Sequence, residues 1–207
     1  MESRNYFDEV APQWDRLQES FFSKAVRDKA LSVANVHPGQ IAADIGCGTG
    51  FITEGLVQTG LKIIAVDGSK VMLSEMKQKF AGLDLIDYRL GEAGRLPIQD
   101  ETVDYAFANM YLHHVEVPPD AIKEMTRILK PGGILVITDL DEHRFEFLKR
   151  EHNDRWMGFP RVDIRRWFEA AGLRDVAIYC VGENCCAASS CGSEHAKIGI
   201  FVASGRK

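Results

Sequence analysis

The chain has no apolar run approaching the roughly 20 residues that a membrane span requires, and its first ten residues, MESRNYFDEV, lack the apolar segment of a secretory leader. On those two absences the protein is expected to be cytoplasmic, with no membrane among its partners. There is no block of Lys or Arg, and the formal net charge is −5. Binding a phosphate backbone needs a basic face, so no nucleic-acid partner is expected. No internal repeat or low-complexity segment interrupts the sequence. Cysteine is scarce and odd in number: of five, Cys47 stands alone, while Cys180, Cys185, Cys186 and Cys191 crowd toward the C-terminus. That is not the framework of a disulfide-stapled secreted domain.

What is present suits one buried domain over residues 1–207, with 45% apolar and 27% charged residues. Residues 5–36 show apolar positions at helical steps (Phe7, Val10, Trp14, Leu17) until His37-Pro38-Gly39 breaks them. From Ile41 short apolar runs alternate with helical stretches. Strands are predicted over 41–45, 62–66, 85–90, 103–108 and 134–138, and helices over 53–59, 71–80 and 120–129. Lys130-Pro131-Gly132-Gly133 is expected to form the turn before the fifth strand. Apolar strands joined by helices imply a parallel sheet covered on both faces. Beyond it, 141–155 reads as a charged helix and 163–171 as a second helix ending at Gly172. Residues 176–181 and 197–203 read as an antiparallel edge hairpin across the turn-rich segment 182–193.

The densest chemical signal is Asp44-Ile45-Gly46-Cys47-Gly48-Thr49-Gly50, after the first strand and before a helix. Glycines permit a tight turn and close approach of a ligand to the backbone. The dinucleotide pattern G-x-G-x-x-G is broken here by G-x-G-x-G, with Phe51 in place of the third glycine. Asp44 would repel a pyrophosphate and attract an ammonium. S-adenosylmethionine carries an ammonium and a sulfonium and no phosphate, so the charge pattern favours that ligand over NAD. Asp67, ending the second strand, suits the two ribose hydroxyls. Its alternative role is to turn Asp67-Gly68-Ser69 into the next helix.

The segments AADIGCGTG, AVDGSK, LGEAGRLPI, VDYAFANMYLHHV and LKPGGILVITD, in that order, resemble the motifs of class I S-adenosylmethionine-dependent methyltransferases, over roughly residues 6–140. The resemblance implies an α/β, Rossmann-like three-layer sandwich whose seven-stranded sheet is mostly parallel with the last strand antiparallel. It divides the chain into an N-terminal helical lid (1–38), a cofactor-binding core (41–140) and an acceptor-side insertion with a C-terminal hairpin (141–207). By that likeness Asp44 and Gly46 hold the methionine end of the cofactor, Cys47 and Gly48 supply loop backbone, and Asp67 binds the ribose. Gly68 and Met72 pack near the adenine, Glu92 accepts from the adenine amino group beside Ala93, and Asn109 lies beneath the sulfonium. Glu92 departs from the family's usual Asp. Cys47, despite its place in the loop, is expected to be a small filler, because an activated thiol needs a cationic neighbour.

Transfer of a methyl from a sulfonium to a small-molecule acceptor is an in-line displacement in which alignment and exclusion of water dominate. A general base, where the acceptor needs one, is sought at His113 and His114, beyond the fourth strand; their other reading is to fix the loop. His143 and His152 fall in the insertion, where Trp156, Met157 and Phe159 are candidates to wall the acceptor pocket. Tyr6, Phe7, Trp14 and Asp15 are candidates for a lid over the cofactor. The least typical feature is Cys185, Cys186, Cys191 and His195. It reads as a soft-metal or metalloid site, a redox-sensitive cluster, or unligated thiols in a tight loop, and its spacing is not that of common zinc sites. A metal or metalloid there would suggest a thiol or metalloid acceptor. The competing functions are a non-catalytic cofactor-binding sensor with a cysteine metal switch, and an NAD-dependent oxidoreductase.

Overall fold

Seven strands form one sheet in the order β3-β2-β1-β4-β5-β7-β6. A computed structural model describes residues 2–207, with side chains from Tyr6 onward. Strands β1 (Ile41–Ile45), β2 (Lys62–Asp67), β3 (Ile86–Leu90), β4 (Val103–Asn109) and β5 (Leu129–Leu140) are parallel. β7 (His195–Arg206) runs antiparallel to both β5 and β6 (Arg174–Ala188). The strand order reverses on either side of β1, and in open α/β sheets ligands bind at the carboxyl ends of strands at such a reversal.

Two helical layers cover the sheet. Ala30, Leu56, Leu73 and Met76, from α3 (Ala25–Ala34), α4 (Phe51–Leu56) and α5 (Lys70–Lys79), pack on one face with Ala42, Ile63 and Phe107. On the other face Ile122, Met125, Ile164 and Phe168, from α6 (Pro118–Ile128) and α8 (Arg161–Ala170), pack with Ile45, Leu135 and Phe201. Neighbours in β1 therefore go to opposite layers, as strand geometry requires. α1 (Glu2–Val10) and α2 (Trp14–Phe21) precede the sandwich.

Three local expectations are corrected. The Lys130–Gly133 segment lies inside β5, where the register with β4 shifts between Val103 and Tyr105. Gly132 is left-handed (φ 82°), and the C-terminus stitches the bend, Gly132 N–H donating to the Lys207 carbonyl at 2.8 Å and Lys207 N–H to the Gly133 carbonyl at 2.9 Å. In the insertion only Phe147–Glu151 (α7) is helical. Its upstream flank is fixed by Asp141, which takes a bidentate pair from Arg161 (both 2.7 Å), and its downstream flank turns at Asn153 (φ 59°). The hairpin also reaches further than its apolar runs suggest, because Cys185, Ala196, Ile198 and Ile200 join Phe147 and Leu148 in a third apolar cluster.

Candidate functional site

A cavity of about 540 Å³ opens at the carboxyl ends of β1, β2 and β4. All ten residues expected to hold the cofactor line it: Asp44, Gly46, Cys47, Gly48, Asp67, Gly68, Met72, Glu92, Ala93 and Asn109. They come from four separate strand ends, and the parallel sheet gathers those ends on one side. Gly46 sits at φ 66°, and a Cβ there would lie 2.2 Å from the Tyr111 ring. The loop is thus pressed against a residue that the sequence pattern did not single out.

Asp44 is 1% exposed, and one carboxylate oxygen takes both Thr53 donors, N–H at 3.1 Å and Oγ1 at 2.7 Å. Burial raises its pKa to about 7, and nearby Asp67 adds to the rise against the pull of the Thr53 bonds. A buried carboxylate in this state gains from a cation brought beside it. The loop amides are meanwhile in use: Gly46 and Cys47 donate to the Val66 carbonyl (2.8 and 3.1 Å), Gly48 to Asp67 Oδ2 (2.8 Å) and Gly50 to the Cys47 carbonyl (2.8 Å). Cys47 and Gly48 thus supply backbone to the cavity wall with these amides turned to the protein itself. Cys47 itself is buried, and burial pushes its thiol well above the usual range, so it is a filler.

Asp67 accepts from Ser69 N–H on one oxygen (2.8 Å) and from Gly48 N–H on the other. It therefore does serve its turn, and a carboxylate retains lone pairs for further donors. Ser69 caps α5 by accepting from Met72 N–H at 3.0 Å, which brings Met72 to the cavity floor. Phe7, Trp14, Gln18 and Phe22 also line the cavity. The N-terminal helices are tied down where Ser69 Oγ donates to Asp8 and Thr49 Oγ1 to Asp15, with Lys79 on Asp15 at 2.9 Å.

The two histidines diverge. His114 lines the cavity; His113 does not. His113 Nδ1 lies 2.7 Å from Asp139 Oδ1, and its Nε2 is 3.7 Å from Asp154 Oδ1. Burial alone would lower its pKa, yet Asp139 and Asp154 outweigh that and raise it to about 9. His114, with Nδ1 at 3.3 Å from the Asn153 carbonyl, is lowered well below the usual value by burial and by His113. Trp156, Met157 and Phe159 do not wall the cavity. Phe159 is in the core and Trp156 donates its Nε1–H to the Val115 carbonyl at 2.9 Å. Val115, Glu116, Val117, Asp120, Ala121 and Arg155 also line the cavity.

The C-terminal cluster is not assembled. Cys185 pairs with Ile198 and is buried, whereas Cys186 pairs with Lys197 and is exposed, since adjacent strand residues face opposite ways. Cys191 stays in the turn, with its Sγ within reach of the Ser189 and Ser193 hydroxyls, and His195 is exposed at the start of β7. Among the described residues, the ligand atoms of Cys185, Cys186, Cys191 and His195 do not gather as a metal site would require.

The sheet order is that of the Rossmann-like S-adenosylmethionine-dependent methyltransferases among solved structures. Residues 43–137 match the family model described as a methyltransferase domain, and this segment of the chain is a methyltransferase domain. It is 30% identical over 180 residues to a malonyl-[acyl-carrier protein] O-methyltransferase of Marinomonas sp., covering 83% of this chain and 65% of that one. It is 32% identical over 142 residues to a demethylmenaquinone methyltransferase of Renibacterium salmoninarum, covering 67% of this chain and 59% of that one. These curated relatives are longer, so the chain spans less than two thirds of their length. Among solved structures, the [4+2]-cyclase SpnF superposes with a TM-score of 0.78 at 17% identity, covering 99% of this chain and 95% of that one. That likeness concerns fold alone, and chemistry has to come from the site. Among the described residues no helix is long and apolar enough to cross a membrane.

Proposed function

We propose that the chain binds S-adenosylmethionine in this cavity and moves its methyl group to a small organic acceptor. The observation that carries this reading is a glycine loop with used amides beside buried Asp44, with Asp67 and Glu92 lining the same cavity. Such a site suits a cationic amino-acid tail and a diol, and disfavours a pyrophosphate, which needs free amide donors. The bound donor would supply an activated methyl carbon on a sulfonium. Asp44 would hold the ammonium, Asp67 the ribose hydroxyls and Glu92 the adenine amino group. Phe7 and Trp14 would keep water from the sulfur.

The acceptor would enter along Val115, Val117 and Ala121, with Glu116, Asp120 and Arg155 at hand for its polar groups. His114 is the member of the histidine pair placed to meet it, and His113 acts behind it. The relatives' names make a demethylmenaquinone and a malonyl-[acyl-carrier protein] the first acceptors to assay. A thiol or metalloid acceptor loses its main support with the separated cysteines, and so does a sensor built on a cysteine metal switch.

Calorimetry with S-adenosylhomocysteine and, separately, NAD tests the donor site. Binding of the first and not the second is expected, with Asp44→Ala weakening it by at least roughly tenfold. NAD binding, or undiminished affinity in Asp44→Ala, would overturn the assignment. Once an acceptor is found, His114→Ala should lower turnover while leaving donor affinity within about twofold; an unchanged turnover number would remove His114 from the acceptor side. Donor binding without turnover on any acceptor would favour the sensor.

A further inference from the structure

We propose that His113, His114 and Asp154 bind a divalent transition-metal ion of the zinc type, fastening the 141–160 insertion to the turn that follows β4. This site borders the donor cavity, since His114 lines both, but it does not depend on what that cavity holds.

One atom from each of the three residues lies within 4.8 Å of the others, and all three side chains are largely buried. Asp154 is 7% exposed, and its Oδ1 lies 3.7 Å from His113 Nε2 and 3.9 Å from His114 Nδ1, both too long for hydrogen bonds. Among the described residues this carboxylate has no Lys or Arg partner. Asp154 Oδ1 faces both imidazole nitrogens without a hydrogen bond to either, and an ion between the three would engage the carboxylate and both rings at once. Tetrahedral zinc with bonds of about 2.0–2.1 Å sets its ligands about 3.3 Å apart, and the present separations are 3.7 and 3.9 Å from Asp154 to the two rings, all within 4.8 Å.

The surroundings fit the same ligand. Asp139 Oδ1 meets His113 Nδ1 at 2.7 Å, the carboxylate–histidine arrangement that orients a metal-bound imidazole through its other nitrogen. Asp139 is itself fixed by the amides of Leu112 (2.9 Å) and Leu140 (2.7 Å). Two further imidazoles belong to the insertion. His143, 9% exposed, and His152 each have a buried Nε2 with no hydrogen-bond partner among the described residues. Two imidazoles and one carboxylate favour zinc, cobalt or nickel over magnesium or calcium, which take oxygen ligands. The ligands come from the 3₁₀ turn Leu112–His114 and from the segment after α7, so an ion would join two parts of the chain far apart in sequence.

The test is titration of chelator-stripped protein, kept reduced, with Zn²⁺ by calorimetry and with Co²⁺ by visible spectroscopy. One equivalent should bind, without the near-ultraviolet band of cobalt bound to thiolate. Tm should rise by about 5–10 °C at a hundredfold excess over Kd. Asp154→Asn should lose at least roughly tenfold in Zn²⁺ affinity, and Asp139→Asn about 10–100-fold as a positioning residue. Cys186→Ser/Cys191→Ser should bind as the parent does. Absence of Zn²⁺ and Co²⁺ binding by the parent protein would overturn the proposal, leaving His113 as a proton-bearing bridge between two carboxylates. So would a thiolate spectrum, or binding lost in the double serine variant. If Asp154→Asn does not fold, the parent's cobalt spectrum decides.

Discussion

Asp44 carries a conflict between stability and binding that one substitution can separate. Its carboxyl titrates near 3.8 when unfolded and at about 7 when buried in the folded protein. The folded state therefore holds a proton that the unfolded state releases between those values. The stability this gives is complete below about pH 4, is lost as pH rises toward 7, and stays lost above. Thermal melts of ligand-free protein should show this decline, and Asp44→Asn should lack it. An amide oxygen can inherit both Thr53 bonds, which converge on one oxygen. At pH 8 the variant should exceed the parent by on the order of 2 kcal/mol, or roughly 4–8 °C in Tm. Its S-adenosylhomocysteine affinity should fall, and the parent's own affinity should weaken below pH 7 as Asp44 is protonated. At this scale the candidate donor site was legible because each residue stands in a short motif at a strand end. Tyr111 was not, because its contact with Gly46 crosses between two strand ends. The difference between His113 and His114 was also hidden, since it depends on which ring the turn buries.

Among the elements, the glycine loop is the one whose shape admits least change. Gly46→Ala would place a methyl inside the Tyr111 ring at a left-handed backbone angle. The expected result is a loss of about 1–3 kcal/mol in urea unfolding together with weaker donor binding. A variant that kept both values would show that Tyr111 can swing aside. Helix and strand positions followed closely from periodicity wherever an element buries one face. The reading failed at 141–155, where charged residues suggested a longer helix than the five residues that form one. There the chain is set by individual ties, Asp141 to Arg161 and the amides of Arg155 and Trp156 to the His113 carbonyl (3.0 and 3.1 Å), which carry no periodic signal. It failed again at the hairpin, whose strands continue through the cysteines because the third apolar cluster extends beneath them.

For the whole molecule, the distribution of the five thiols reports the packing of sheet and hairpin. Cys47 and Cys185 are buried, and burial pushes Cys185 up to about 12; Cys180, Cys186 and Cys191 are exposed. Hydrogen bonds from Ser189 and Ser193 lower Cys191 to about 7, which favours its reactive thiolate at neutral pH. Alkylation of the native protein followed by peptide mapping should label Cys191 first, then Cys180 and Cys186, and should reach Cys47 and Cys185 only in denaturant. Rapid native labelling of Cys185 would mean that the hairpin does not close over the third cluster.

The amino-acid sequence by itself determined the alternation of strands and helices, the glycine turn, and the acids that end the first two strands. These are local matters of periodicity, backbone freedom and charge, and each is written in a few neighbouring residues. Only the tertiary structure decided which of two adjacent histidines reaches the cavity, and that the loop's amides are already bonded. It also parted the adjacent cysteines to opposite faces and set Asp154 beside two imidazoles more than 35 positions away. Those outcomes depend on which side of a strand or turn is buried, and burial belongs to the packed chain rather than to any segment of it.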